Sequence, residues 1–267
     1  MKLMNRWFTR YLFGVQNGVE KDPRAWIVRE GKKRTEPTPY DDYPNPKAAP
    51  VRLYLGPGGN GTGRLGFKAR AGQGAEKLID NYEFKGATLA SEAKSEHRLL
   101  YATGRLSRPV HLSGTSSIRI KVSSSQPAAN LSVWLVSLPW TKGGRTNDNL
   151  ISRGWADPQN HESLRESKPL EPGKFYELSF DFQPDDQVIP VGQRIGLMIF
   201  SSDKDFTLWP KPGTELTVEL GATSIELPVV GGPRALRRAT TPKRRRLSAP
   251  GVPIHHPLLR TNGLGGF

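Results

Sequence analysis

Alternation of apolar and polar residues with a period of two recurs through the middle of the chain and predicts strands. In FYELSFDF, Tyr176, Leu178, Phe180 and Phe182 fall on one face, and Glu177, Ser179 and Asp181 on the other. In RIGLMIF, Ile195, Leu197 and Ile199 share a face, but Gly196, Met198 and Phe200 opposite are apolar or small, so this strand is expected to be central and covered on both sides. Pro184, Asp185 and Asp186 supply turn chemistry between the two, with Pro190 and Gly192 confining the approach to the second, and an antiparallel pair is the economical reading. Ser117 to Ser123 places Ile118, Ile120 and Val122 inward and Arg119 and Lys121 outward. Leu131 to Leu138 sets Leu131, Val133 and Leu135 against Trp134 and Val136. Val51 to Leu55, Leu99 to Thr103, Leu216 to Leu220 and Ile225 to Val229 complete about eight or nine strands with short turns, the pattern of an all-β sandwich. Residues 1 to 18 follow the other period, Trp7, Phe8, Tyr11, Leu12 and Val15 recurring as on a helix that Gly14 and Gly18 bring to an end.

Connecting segments sharpen this picture. Residues 29 to 50 are charged and interrupted by Pro37, Pro39, Pro44, Pro46 and Pro50, so they read as a connector, with Tyr40, Asp41, Asp42, Tyr43 and Pro44 as an ordered crossing whose tyrosines cover the sandwich. Gly61, Gly63 and Gly66 formally satisfy G-x-G-x-x-G, but a dinucleotide site needs that turn to open a helix. Phe67 to Gly74 has two more glycines and no helical period, which predicts a hairpin loop instead. With 28 Gly and 23 Pro among 267 residues, turns outnumber long helices, and zero Cys rules out disulfides and thiolate metal sites. No stretch approaches the roughly 20 apolar residues of a membrane span, and Lys2, Arg6 and Arg10 interrupt the start where a signal peptide needs an unbroken apolar run.

The formal charge of +14 is unevenly placed, since residues 233 to 267 carry eight Lys or Arg and no Asp or Glu. They read as a disordered basic tail, solvated by default, and the run Lys243 to Arg246 is the part that could touch nucleic acid or an anionic surface.

Candidate chemistry is sparse. No G-x-S-x-G elbow exists, the nearest string being Gly114-Thr115-Ser116-Ser117-Ile118 at the start of a strand. The five histidines, His97, His111, His161, His255 and His256, form no chelating spacing beyond the adjacent pair, whose side chains diverge in an extended segment. His161 shares a loop with Trp155, Asp157 and Glu162, a polar constellation to examine against its plainer reading as turn-fixing groups. Trp140, Trp155, Phe206 and Trp209 lie in or beside loops, where aromatics serve either as a sugar platform or as a plug against a neighbouring domain.

Ser152-Arg153-Gly154, Leu164-Arg165-Glu166-Ser167, Pro172-Gly173, Gly192-Gln193-Arg194-Ile195 and Ser201-Ser202 together resemble the C-terminal domain of Xaa-Pro dipeptidyl-peptidases (PepX) and cocaine-esterase-type acyl hydrolases. The order of elements in LLYATGRLSRPVHLSGTSSIRIKVSSS is similar to the same family, which usually has a His where Gln193 stands. That resemblance implies a jelly-roll, galactose-binding-like sandwich for residues 29 to 232, with no cofactor, no metal and no catalytic residue of its own. RWFTRYLFGVQNGVEKDPRAWIV looks like the segment that leaves the α/β-hydrolase domain, so residues 1 to 28 are expected to be an exit helix and linker downstream of an absent Ser-His-Asp triad. The implied partner is that hydrolase domain, missing or supplied in trans, and the expected contacts are Trp7, Phe8, Tyr11, Leu12, Trp155 and Trp209. No membrane or nucleic-acid partner is expected. The alternatives are a free-standing carbohydrate-binding module and the same domain from an acyl esterase; a nucleic-acid-associated protein using its tail is a weaker third.

Overall fold

A computed structural model of the chain describes residues 2–28, 37–141, 143, 146–209 and 212–241. Helix α1 (Lys2–Phe13) leads into a small ribbon of β1 (Ala25–Ile27) and β2 (Thr38–Tyr40). The sandwich then runs through β3 (Ala48–Gly56), β4 (Gly63–Gly66), β5 (Ala75–Ile79), helix α2 (Gly86–Ser91), β6 (Leu99–Ala102), β7 (Val110–Gly114), β8 (Ser117–Ser124) and β9 (Leu131–Leu138). It closes with β10 (Leu150–Ala156), β11 (Phe175–Asp181), β12 (Asp185–Ile189), β13 (Arg194–Phe200), β14 (Glu215–Glu219), β15 (Ser224–Val230) and helix α3 (Gly232–Thr240).

One layer has the order β10-β9-β13-β6, and the other is built on β3-β15-β8, with β14-β5 and β11 beside β8 and β7-β12 beside β15. β4 joins the layers, pairing antiparallel with β3 and parallel with β6. Inward rows of Leu53, Ile120, Val133, Leu197 and Ile225 are at most 2% exposed and share one core between the layers, as alternation demands. A second apolar cluster lies on the outer face of β9, β13 and β6, where Trp134, Val136, Met198 and Phe200 are covered by Leu89 and Ala90 of α2. That cover explains why LSVWLVSL and RIGLMIF are apolar on both faces, as predicted for the second.

Pairing is where the local pattern misleads. β11 and β13 are not partners: β11 pairs with β8, β13 lies between β9 and β6, and the expected turn at Asp185–Asp186 is instead the start of β12, which pairs with β7. Burial decides this, because a strand apolar on both faces needs a central slot under α2, whereas half-polar β11 fits on the other layer, where Glu177 can reach Arg119. The Tyr40–Pro44 crossing behaves as expected. Tyr40 Oη donates to Asp186 Oδ1 at 3.2 Å and Tyr43 Oη to the Asp185 carbonyl at 3.2 Å, strapping the segment to β12. Desolvation, then the charges of Asp185 and Asp186, push the Tyr43 phenol up.

Of the glycine cluster, Gly61 lies in the hairpin loop between β3 and β4, as predicted, whereas Gly63 and Gly66 are the two ends of β4 itself, for a packing reason. A Cβ on Gly63 would lie 2.6 Å from Tyr101 Cδ1, so only glycine lets β4 approach that buried ring. Tyr101 Oη in turn donates to Glu76 Oε2 at 2.7 Å, and Glu76 accepts from the Gly58 and Gly59 amides at 2.6 and 2.9 Å.

The basic tail expected from residue 233 begins differently. Residues 232–240 are helix α3, with Leu236 and Ala239 buried at 0% and 1% exposure and the Arg237 guanidinium 4.1 Å from the Phe67 ring centroid. Leu236 and Ala239, three apart, turn inward while Arg234, Arg237 and Arg238 stay in water, so an arginine-rich string still buries a face. The run Lys243–Arg246 lies outside the described residues.

Candidate functional site: two aromatic surfaces

Helix α1 owes its place to polar clips rather than to the core. Arg6 Nη1 donates to Asp22 Oδ2 at 2.7 Å, Arg6 Nη2 donates to the Asn17 carbonyl, and Asn17 Nδ2 donates to the Arg6 carbonyl at 2.6 Å. Arg10 pairs with Glu20. These contacts fold residues 14–22 back along the helix and leave its apolar side open. Trp7 touches Phe8 and Tyr11, with ring centroids 5.5 and 4.7 Å apart. Trp7, Phe8, Tyr11 and Leu12 are 51%, 44%, 53% and 68% exposed. Four large apolar side chains on one helix face thus stand largely in water.

A second aromatic group surrounds Asp203, just after β13. Trp134 from the outer face of β9 and Trp155 near the end of β10 both donate their indole N–H to Asp203 Oδ2, at 2.9 and 3.2 Å. The backbone is held at the same residue: Asp203 N donates to Thr207 Oγ1, and the Phe206 and Thr207 amides donate to the Asp203 carbonyl. Phe206 then stands beside Trp155, centroids 5.5 Å apart, with the Arg153 guanidinium 3.9 Å from the Phe206 centroid. Trp209 stacks on Tyr82 at 5.0 Å and an interplanar angle of 10°. Phe206, Leu208 and Trp209 are exposed. Ser201 and Ser202 fix the approach, Ser201 Oγ donating to the Asn130 carbonyl and Ser202 Oγ to Asp80 Oδ2 at 2.9 Å.

Burial pushes the Asp203 carboxyl above the ordinary carboxylate range, and the two indole donors and Arg153 only partly pull it back. Because the folded value is raised, Asp203 contributes stability that is full below its unfolded value and is lost as pH rises through the folded value. Tryptophan fluorescence is therefore expected to titrate at a pH above the usual aspartate value, and Asp203→Asn to abolish that step. An unchanged titration in the variant would show that another group reports.

Residues 17–245 match the family of the X-Pro dipeptidyl-peptidase C-terminal non-catalytic domain. The chain belongs to that family. The putative Xaa-Pro dipeptidyl-peptidase of Rhodopirellula baltica is 57% identical over 234 residues, covering 87% of this chain and 37% of the relative. The protein of the same name from Bacillus anthracis is 33% identical over 233 residues, covering 86% of this chain and 37% of the relative. This chain thus spans little more than a third of those relatives' length. A solved aminopeptidase from the marine sediment archaeon Thaumarchaeota archaeon shares the fold, with a TM-score of 0.64 at 20% identity over 85% of this chain and 43% of that one.

In this PepX-type chain the six predicted contact residues fall into two groups, four of them on α1 ahead of the matched residues. Trp7, Phe8, Tyr11 and Leu12 sit on α1, and Trp155 and Trp209 at the Asp203 loop; among the described residues no hydrogen bond, ion pair or ring contact joins the groups. The constellation around His161 keeps one pair, Glu162 Oε1 lying 3.6 Å from His161 Nε2, and loses the rest. Trp155 turns to Asp203, Asp157 accepts from the Gln159 amide at 2.9 Å, and Glu162 pairs with Lys168, whose hydrogen bond holds that carboxyl below its usual range. His161 Nδ1 lies 3.1 Å from the Pro158 carbonyl, and its ring rests on Tyr176. These groups fix turns, the plainer of the two readings. Gln193 sits in the turn before β13, its carbonyl accepting from the Leu106 amide at 2.7 Å. His111 Nε2 lies 3.0 Å from Asp186 Oδ1, and among the described residues no Ser or Thr hydroxyl meets a histidine ring nitrogen, the contact a serine nucleophile needs. A sugar platform asks for rings lying open and coplanar, whereas Tyr82 and Trp209 cover one another and Trp155 and Phe206 are tilted by 33°.

Proposed function

We propose that this domain is the non-catalytic sandwich of a serine hydrolase that releases Xaa-Pro dipeptides, and that its work is to hold an α/β-hydrolase domain through α1 and the Asp203 loop. The observation that carries this reading is the open aromatic face of α1, more than two-fifths exposed at each of Trp7, Phe8, Tyr11 and Leu12, immediately before the residues 17–245 that match a family described as non-catalytic. Names of the relatives supply the substrate class. Nucleophile, base and oxyanion donors are assigned to the hydrolase domain, and the sandwich contributes positioning. Trp155 and Trp209 are assigned to the same contact, with Arg153 and Asp203 holding the first of them.

The test mixes this chain with the separately expressed remaining portion of the Rhodopirellula baltica relative and follows Ala-Pro-p-nitroanilide. The chain alone is expected to give no turnover above a heat-killed control, the two to co-elute, and Trp7→Gln with Tyr11→Gln to weaken co-elution by about tenfold or more, the loss of roughly 1.4 kcal/mol or more of contact. Turnover by the chain alone, sensitive to a fluorophosphonate, overturns the assignment of catalysis; co-elution indifferent to the α1 variants overturns the assignment of the surface.

A further inference from the structure

Two adjoining clefts beside β4 and the end of α3 carry a row of cations that no carboxylate among the described residues neutralises. The larger, about 490 Å³, includes Arg64, Phe67, Arg194 and Thr240 in its walls; the smaller, about 200 Å³, shares Arg64 and adds Lys68 and Arg70. No Asp or Glu lines either cleft. Elsewhere on the sandwich, cations are matched across strands, as in Arg52 with Glu226, Lys77 with Glu215, Arg119 with Glu177 and Lys121 with Glu219. Among the described residues Arg64, Lys68, Arg70 and Arg194 have no such partner.

The arginines are placed rather than loose. Arg194, from the Gly192–Ile195 motif, donates from Nε to the Thr103 carbonyl at 2.7 Å, which fixes the guanidinium and leaves both Nη groups for a ligand. Arg64 lies over Gly66, where a Cβ would come within 2.9 Å of Arg64 Nε, so glycine there makes room for the side chain. Arg237 over Phe67 and the exposed Arg238 extend the positive field along α3. Clustered like charges repel, and a guanidinium fork left open in a cleft matches a carboxylate in bidentate geometry.

We infer that this row is a docking groove for an acidic polypeptide segment, whose carboxylates seat on Arg194 and Arg64 and continue toward Lys68 and Arg70. Peptide is favoured over single-stranded nucleic acid because base stacking needs open aromatic faces, and Phe67 is already covered by Arg237. Pro57, Gly63, Gly66 and Gly104 line the larger cleft without bulky side chains, so an extended backbone can approach closely. This inference is independent of which hydrolase domain the sandwich holds.

Anisotropy of a fluorescein-labelled octaglutamate peptide tests it on the full chain, with octaglutamine as the neutral control and an eight-residue oligothymidylate as competitor. Octaglutamate is expected to bind and to weaken as salt rises, Arg64→Gln with Arg194→Gln to lose about tenfold or more in affinity, and the Lys-for-Arg pair to retain charge but lose bidentate fit, giving an intermediate value. Arg64→Gln and Lys68→Gln singly, both at exposed side chains, should each weaken binding while leaving the circular-dichroism melt unchanged. Binding indifferent to these changes overturns the inference. So does binding lost only when Lys243, Arg244, Arg245 and Arg246 are all changed to Gln, or displacement by oligothymidylate at lower concentration than by unlabelled octaglutamate.

Discussion

Replacing Arg98 with methionine is expected to destabilise the sandwich by about 3–5 kcal/mol, the largest loss from any single change considered. Arg98 is fully buried, and its guanidinium donates to five backbone carbonyls: Leu89 at 3.2 Å from Nε; Gly59, Asn60 and Gly61 at 2.7, 3.2 and 2.6 Å from Nη1; and Glu92 at 2.7 Å from Nη2. Burial lowers its pKa from the ordinary arginine value, with the charge of Glu92 opposing that shift. The group therefore acts as a staple between the glycine loop before β4 and the segment that carries α2. Methionine fills much of the volume, so the cost is dominated by carbonyls left without a donor, each worth about 1–3 kcal/mol before relaxation. Lysine should recover part of it, since one ammonium can reach two or three of the five acceptors. Urea unfolding followed through Trp134 fluorescence decides the point: a methionine variant within about 1 kcal/mol of wild type would mean that water or loop movement satisfies those carbonyls.

Why Arg98 escapes a reading of the sequence is instructive. In SEHRLLYA it looks like the last polar residue before a strand, and nothing local shows that the carbonyls of residues 59 to 61, nearly forty positions earlier, converge on it. Where a feature depends on one strand and its own two faces, the pattern is legible. β9 and β13 lie at Leu131–Leu138 and Arg194–Phe200, with the bounds the alternation predicts, and the apolar outer face of β13 correctly announces a cover. Where it depends on partner choice, the pattern is silent. The β11–β13 hairpin fails because register is set across the sheet, and β12 is hidden because Asp-Asp after Pro184 carries a turn signature that long-range pairing with β7 overrides. α3 was concealed by its arginines, although Pro233 at the helix start and the inward pair Leu236 and Ala239 were present to be read. At the candidate surfaces the same division holds. The aromatic face of α1 follows from spacing within one helix, while the assignment of Trp155 to Asp203 needs two indoles from different strands to meet a carboxylate from a third segment.

Removing residues 1–24 is expected to convert a self-associating chain into a monodisperse sandwich. No residue of 1–24 belongs to either core cluster, and the clips at Asp22, Asn17 and Glu20 leave with the helix, so beyond buried Val19 and the exposed Arg24–Asp42 ion pair the sandwich keeps its contacts. What it sheds is surface. Trp7, Phe8, Tyr11 and Leu12 each keep roughly half of their area in water, and with complete burial of such a side chain worth about 1.5–3 kcal/mol, the four together forgo on the order of 3–6 kcal/mol. That is a large fraction of a domain's net stability, and any apolar partner, including the same face of a second chain, can supply it. Light scattering of the full chain should therefore show mass rising with concentration. Trp7→Gln with Leu12→Gln should lower that rise, and the hydrolase portion of a relative should abolish it by occupying the face. A full-length chain that stays monomeric across the concentration range, with the amides of α1 as protected from hydrogen exchange as those of β9, would show that this face is satisfied within the chain, and the assignment of α1 to a hydrolase contact would fall with it.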